Sequence, residues 1–280
     1  MEVAPALHVK RTNLPWFPII VLATLLASAV FAPFLAPHSP TYIDILNARI
    51  PPFETGTHPL GTDSLGRDVA SRLIFGAQSS VFIVFVALGS AAAVGTLIGL
   101  VAGYYGGRLD AILMRVVDLG LAFPPILAAL VIAAFMGVGI VTVVVAVTAT
   151  MWAKFARMIR ADVLSVRGRD FVTMAKIAGV SAPMIIIRHI IPNVTNRLIV
   201  VSSLLVGEVI LMEAALSFLG LGLPPGAPAW GIMVSEGRAL LTDAWWLALF
   251  PGLAITLVVI ASNLLGDWLR DVLDPRVRQL

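Results

Sequence analysis

The chain is written in long apolar runs separated by short basic or glycine- and proline-rich stretches. A helix that crosses the apolar core of a bilayer needs about 20 mostly apolar residues. Six runs meet or approach that length: Phe17–Leu35, Val81–Tyr104, Leu119–Met136, Ile140–Trp152, Leu198–Leu219 and Trp245–Leu265. The fourth is long enough only if it begins inside Gly137-Val138-Gly139, so the third and fourth are expected to form a tight hairpin. In the second run Gly95, Gly99, Gly103 and Gly107 recur every four residues. That spacing lines up positions without side chains on one helix face, where another backbone can approach closely. Pro124-Pro125 removes two backbone donors and predicts a bend, or a late start, for the third helix.

Composition supports the membrane reading. Hydrophobic residues make up 59% of the 280 and charged residues 12%, with a mean hydropathy of +0.97. A soluble domain carries about 25% charged residues, so this chain has too few to solvate a globular surface. The absence of cysteine excludes disulfides and thiolate chemistry. Lys10-Arg11 followed by an apolar run ending in Ala27-Ser28-Ala29 imitates a cleavable signal peptide. The apolar character continues through Val30, Phe31, Phe34 and Leu35, so an uncleaved first helix is expected.

The pI of about 9.7 comes with a net charge of only +3, and the placement of the cations matters more than their number. Six spans put both termini on one side. That side then holds Lys10, Arg11, Arg108 and Arg115, every cation from Lys154 to Arg197, and Arg270, Arg276 and Arg278. The other side keeps only Arg49, Arg67, Arg72 and Arg238 of the 19. Cations concentrate on the cytoplasmic side of membrane proteins, so both termini are expected there. The bias explains the pI without a nucleic-acid partner. Trp16, Trp152, Trp230, Trp245, Trp246 and Trp268 fall at or near span ends, as an interfacial aromatic belt predicts.

Candidate chemistry is sparse. The lysines are Lys10, Lys154 and Lys176, none preceded by Gly, so the phosphate-cradling G-x-x-x-x-G-K-[ST] loop is missing. There is no H-E-x-x-H zinc motif. His8, His38, His58 and His189 all lie outside the spans; loop histidines read as solvated, with metal binding at His38 and His58 the weaker reading. No catalytic, metal or cofactor site is expected. The fifth span carries Glu208 and Glu213, and an ionisable group at the bilayer centre costs at least about 2.5–3.5 kcal/mol, so each needs a partner or water. Five residues apart at about 100° each, they point some 140° apart and do not form one ring. Glu208, with Gly207 and Ser203 marking a polar side of the helix, is expected to face a pathway or a hydrogen-bonding partner. Glu213 is expected to bond structurally. An ion-coupled carrier or channel using these two acids is the alternative to a transporter driven by separate subunits.

The most informative stretch runs from Lys154 to about Asn196. Basic and apolar residues interleave at helical spacing up to Ala178, Gly179 breaks the helix, and a second short helix is expected to run towards Pro192. Such an element either buries its apolar face in another protein or lies on anionic lipid. Gly179 followed thirteen residues later by Pro192 resembles the "EAA loop" of bacterial ABC importer permeases, and DFVTMAKIAG with RHIIPN is similar to the version in the peptide/nickel branch. HPLGTDSLGRDVASRLIFGAQSS (His58–Ser80), EAALSFLGLGLPPGAPAWG (Glu213–Gly231) and NLLGDWLRDVLDPRVR (Asn263–Arg278) agree with that branch. The chain resembles the second, C-type permease of the dipeptide/oligopeptide/nickel importers.

The resemblance implies an all-α polytopic membrane protein with six transmembrane helices and the type I ABC importer permease fold, in a bacterial inner or plasma membrane. Residues 1–16 would be a cytoplasmic tail and 17–280 the permease domain, with 37–79 extracytoplasmic and 153–197 a cytoplasmic coupling loop. Asp170, Phe171, Ala175, Gly179, Ser181, Arg188, His189 and Pro192 would form the ATPase-coupling surface, and Gly95, Gly99 and Gly103 a helix-packing stripe. Implied partners are a paralogous permease, two cytoplasmic ATPases that hold ATP and Mg, and an extracytoplasmic solute-binding protein. The solute would be a di- or oligopeptide, a glutathione-like peptide or a nickel chelate, selected largely by the binding protein. The family's Glu-Ala-Ala falls on Thr173-Met174-Ala175, so only Ala175 is kept, which puts an acid-mediated contact to the ATPase in doubt. His189 stands where the broad consensus has Ile.

Overall fold

A computed structural model describes residues 14–273, in which every regular element is a helix apart from one isolated bridge between Thr62 and Asp68. Lys10, Arg11, Arg276 and Arg278, counted in the charge bias, and His8 lie outside the described residues. The first apolar run forms α1 (Trp16–Val30), continued by one turn at Ala32–Leu35. Then come α2 (Val69–Tyr105), α3 (Gly107–Ala122), α4 (Pro125–Met136), α5 (Ile140–Arg167), α6 (Asp170–Ile177), α7 (Ala182–Phe218), α8 (Trp230–Gly237) and α9 (Trp246–Leu273). Helices α2, α5, α7 and α9 are long and apolar enough to cross a membrane. The pair α3–α4 makes a further span bent by 87°, and α1 is a shorter apolar helix of 15 residues. The six apolar units are all present, but several limits differ from the expected ones.

The bend in the third unit falls where the prolines put it. A residue before proline is driven out of the helical region, and Phe123 is extended at φ −90°, ψ 141°. Helix α4 restarts at Pro125, where the missing N–H has no helical partner to lose. The fourth unit does not end at Trp152. Helix α5 runs 28 residues, about 42 Å, which exceeds a hydrocarbon core of about 30 Å. Its burial explains the length: Phe155, Ala156, Ile159, Val163 and Val166 continue the buried stripe of Val143, Val147 and Met151 past Trp152.

Residues 153–197 are therefore mostly helix continuous with the spans on either side. The expected short helix ending near Pro192 is instead the first part of α7, which runs on to Phe218. Pro192 has no N–H to give, and the helix accommodates it with a widened turn at Ile186–Ile190. There Ile191 N donates five residues back to Ile186 O, and Asn193 Nδ2 covers His189 O at 2.7 Å. A second widened turn at Val84–Leu88 lies inside α2, with the Thr148 hydroxyl of α5 bonded to Ala87 O at 3.2 Å.

The glycine stripe joins α2 to α5. A Cβ at Gly95 would lie 2.3 Å from Trp152 O, at Gly99 2.7 Å from Ala156 O, and at Gly103 2.7 Å from Val163 Cβ. Backbone thus packs on backbone. Gly107 leaves the stripe because α2 ends at Tyr105, and Gly106 and Gly107 turn the chain at φ +69° and +60°. Past the stripe, Arg160 of α5 holds both oxygens of Asp110 of α3 at 2.5 and 2.6 Å, and Arg157 bonds Asp118.

Two of the six tryptophans do not join an interfacial belt. Trp230 and Trp246 are buried, and their indole N–H groups donate to Leu73 O and Thr62 O at 3.0 and 3.2 Å. Gly76 leaves the slot for Trp230, since a Cβ there would stand 2.6 Å from its ring. Helix α8 begins at Trp230 and wedges between α7 and α9. Gly231 sits against Ala214 O and Gly237 against Ala248 N, at distances no Cβ could tolerate.

Candidate functional site

The segment between α5 and α7 builds an exposed apolar ridge on a rigid stem. Helix α6 turns Val172 inward, with Ala175 partly buried beside it, against Val163, Val166, Ile185, Ile190 and Val194. It turns Phe171, Met174 and Ile177 outward, the last two 65% and 77% exposed. These three are spaced three apart and share one face. Asp170 opens the helix, where an acid suits the positive end of the dipole.

Gly179 closes α6 in the left-handed region at φ +76°. Gly179 N donates to Lys176 O at 3.0 Å and Val180 N to Ala175 O at 3.1 Å, the paired bonds of a Schellman cap. A Cβ at Gly179 would meet nothing within 4 Å, so the requirement for glycine is conformational, not steric. Ser181 precedes α7, and Arg188 and His189 lie in its widened turn. The His189 ring stands 6.1 Å from Phe171, tying the outer face of α6 to α7. The structure therefore brings Asp170, Phe171, Ala175, Gly179, Ser181 and His189 to one end of the bundle, with Arg188 alongside and Pro192 further along the stem.

The two acids of the fifth apolar run occupy different environments. Glu208 accepts from Lys154 Nζ on both carboxylate oxygens, at 2.5 and 2.6 Å. The pair is partly open, the side chains of Lys154 and Glu208 being 28% and 37% exposed. Sequence reading placed Lys154 in a loop, because the apolar run stops at Trp152; the continuous α5 carries it to Glu208 instead. Gly207 does not share that side, since it packs on Val259 of α9. Glu213 is 1% exposed and accepts from Ser217 Oγ at 2.9 Å.

The opposite end holds a buried charge network that sequence reading missed. Asp63 Oδ2 accepts from Arg67 Nε and Arg72 Nη1, each at 2.6 Å, while Glu236 Oε2 accepts from Arg67 Nη2 at 3.0 Å and Arg72 Nη1 at 2.6 Å. Two cations and two carboxylates balance, which makes it possible for Arg72 to be 1% exposed. The network locks the loop before α2 to α2 and α8. Asp63 and Arg67 have a visible i,i+4 spacing, but Glu236 lies 169 residues from Arg67 and no local signal announces it. Beside this network, His38 and His58 stack at 4.6 Å and His58 Nδ1 lies 3.0 Å from Asp68 Oδ1, so these loop histidines are not simply solvated.

Six apolar helical units, with α2 packed closely on α5 and α8 wedged between α7 and α9, make up a polytopic membrane permease of the type I ABC importer fold. The same architecture occurs in a chain of the MetNI methionine ABC transporter in an inward-facing form, at a TM-score of 0.61 and 14% identity over 72% of this chain and 96% of that one. Residues 95–279 match the family of binding-protein-dependent transport system inner membrane components, and the chain belongs to that family. It is similar to a peptide transport system permease protein of Brucella suis, 42% identical over 260 residues covering 93% of this chain and 87% of that protein. It is also similar to a dipeptide transport system permease protein of Alkalihalophilus pseudofirmus, 38% identical over 271 residues covering 97% and 88%.

Proposed function

We propose that this chain is one of two paired permeases in an ATP-driven importer of di- or oligopeptides, with α6 as the helix that receives the motion of a separate ATPase. The observation that carries the reading is the outward row of Phe171, Met174 and Ile177 on a helix anchored through Val172. Large apolar side chains on a short helix, tied to two long helices, suit a socket in a partner protein better than open water. The peptide and dipeptide transport names of the Brucella and Alkalihalophilus relatives support the solute class.

In this reading the end carrying α6 is cytoplasmic, as its cations favour, and ATP and Mg are held by the ATPase subunits. A paralogous permease completes the pathway, and an extracytoplasmic protein delivers the solute. ATPase closure pushes α6, and α5 and α7 transmit the push as rigid rods, rocking the two permeases between access states.

Proteoliposomes containing the permease pair and its ATPases, supplied with the binding protein, should accumulate labelled di- or oligopeptide only with ATP inside the cytoplasmic compartment. Uptake driven by an ion gradient without the ATPases would replace this reading with that of a carrier.

A further inference from the structure

We infer that His38, His58 and Asp68 form a binding site for a divalent transition-metal ion such as Zn2+, at the end of the bundle opposite α6. One ligand atom from each residue lies within 4.8 Å of the other two. Two imidazoles and one carboxylate make the donor set of an open zinc site, with a fourth position left for water. Bonds of about 2.0–2.1 Å in tetrahedral geometry put neighbouring ligand atoms roughly 3.3–3.5 Å apart. His58 Nδ1 and Asp68 Oδ1, at 3.0 Å across a hydrogen bond, already stand near that spacing; the ion takes the place of the proton on Nδ1, which leaves to solvent. Only the third ligand has to close, from within 4.8 Å of the other two, by up to about 1.5 Å on the same geometry.

The frame holding the three residues is preorganised by the start of α2. Asp68 caps that helix: its Oδ2 accepts from both Ser71 N and Ser71 Oγ at 2.7 Å, which leaves Oδ1 facing His58. Ser71 Oγ in turn accepts from His38 N at 3.0 Å, so the backbone of the third ligand hangs on the same cap. Such supporting bonds are what fix metal ligands in place. His38 Nδ1 is buried without a hydrogen-bond partner, an unfavourable condition that a metal bond would relieve.

The positive end of the α2 dipole opposes a cation, but the Asp68 carboxylate caps that end and reverses the local sign. The imidazole planes lie 29° apart in the stack, and they must open for both lone pairs to meet on one ion. A bound ion would staple the chain leaving α1 to the first turn of α2.

The test uses the full chain, assembled with its partner subunits, free of any polyhistidine tag and stripped of metal, titrated with Zn2+ by calorimetry. One equivalent per permease should bind, and His38→Asn and His58→Asn should each weaken it by roughly tenfold or more. Co2+ in place of Zn2+ should give the visible absorption of a tetrahedral site, lost in both variants. Asp68 is left intact because it also caps α2. Zn2+ binding by His38→Asn as tight as wild type would overturn the site, as would a wild-type chain that binds none. If a variant fails to assemble, the wild-type stoichiometry and Co2+ spectrum decide the question. The readout is binding, so the outcome does not depend on whether the protein imports peptides.

Discussion

Removing one member of the Lys154–Glu208 pair is the sharpest probe of the interior. Lys154 is 14 residues into α5 and Glu208 ten residues from the end of α7, about 21 Å and 15 Å along their helices. Both lengths are compatible with positions inside an apolar core of about 30 Å. Lys154→Met strands a carboxylate at a depth where an unpaired charge costs at least about 2.5–3.5 kcal/mol. Glu208→Gln strands an ammonium in the same way. Exposed pairs couple by about 0–1 kcal/mol, whereas breaking a buried pair costs about 3–5 kcal/mol. The Lys154 and Glu208 side chains, 28% and 37% exposed, sit between those limits, which sets the expected coupling at about 1–3 kcal/mol.

The double variant Lys154→Met/Glu208→Gln should therefore be less destabilised than the sum of the singles. Denaturation of the purified complex in nanodiscs measures all four species. Additivity within about 0.3–0.5 kcal/mol would refute the pair. Uptake separates structure from transport: a purely structural pair predicts that the double variant regains uptake along with stability. A Glu208 charge needed by the solute predicts regained stability with uptake still lost and ATPase association intact.

Three further outcomes are expected. Gly179→Val forces a β-branched residue to φ +76°, a strain of about 1–2 kcal/mol; the protein should insert normally, bind its ATPase weakly and transport poorly, and wild-type uptake would remove Gly179 from the coupling path. Gly99→Val puts a side chain 2.7 Å from Ala156 O, an overpacking of about 1–3 kcal/mol that should lower the melting temperature of the complex, whereas Gly107→Ala, with nothing within 4 Å of its Cβ, should lower it only by the strain of its positive φ. Ser39→Cys should react with an impermeant thiol reagent from outside intact cells and Gln279→Cys should not; the reverse would invert the topology and move α6 to the wrong face.

Much of the site was legible, and the reason is local physics. The Schellman cap at Gly179 needs only a residue that tolerates positive φ, so a glycine ending a helical pattern betrays it. Phe171, Met174 and Ile177 betray their shared face by spacing alone. Lys154 was misplaced because hydropathy reports where apolar residues stop, not where a helix stops. Its helix continues because Phe155, Ile159 and Val163 keep packing beyond Trp152.

The sequence by itself determined that the chain carries six apolar stretches near spanning length, that its cations are spread unevenly between them, and that α2 carries a face for close packing. Each follows from quantities summed along neighbouring residues: transfer energy over about 20 positions, charge per segment, and a four-residue period. Only the tertiary structure decided which helix meets that face, which cation meets Glu208, and that buried Asp63, Arg67 and Arg72 share one network with the part-exposed Glu236. It also decided that Trp230 and Trp246 are core residues instead of interfacial ones, and that His38 comes to rest on His58. Such pairings join residues far apart in the chain, Arg67 and Glu236 by 169 positions. Their energies depend on distance and desolvation in space, which no local window of sequence contains.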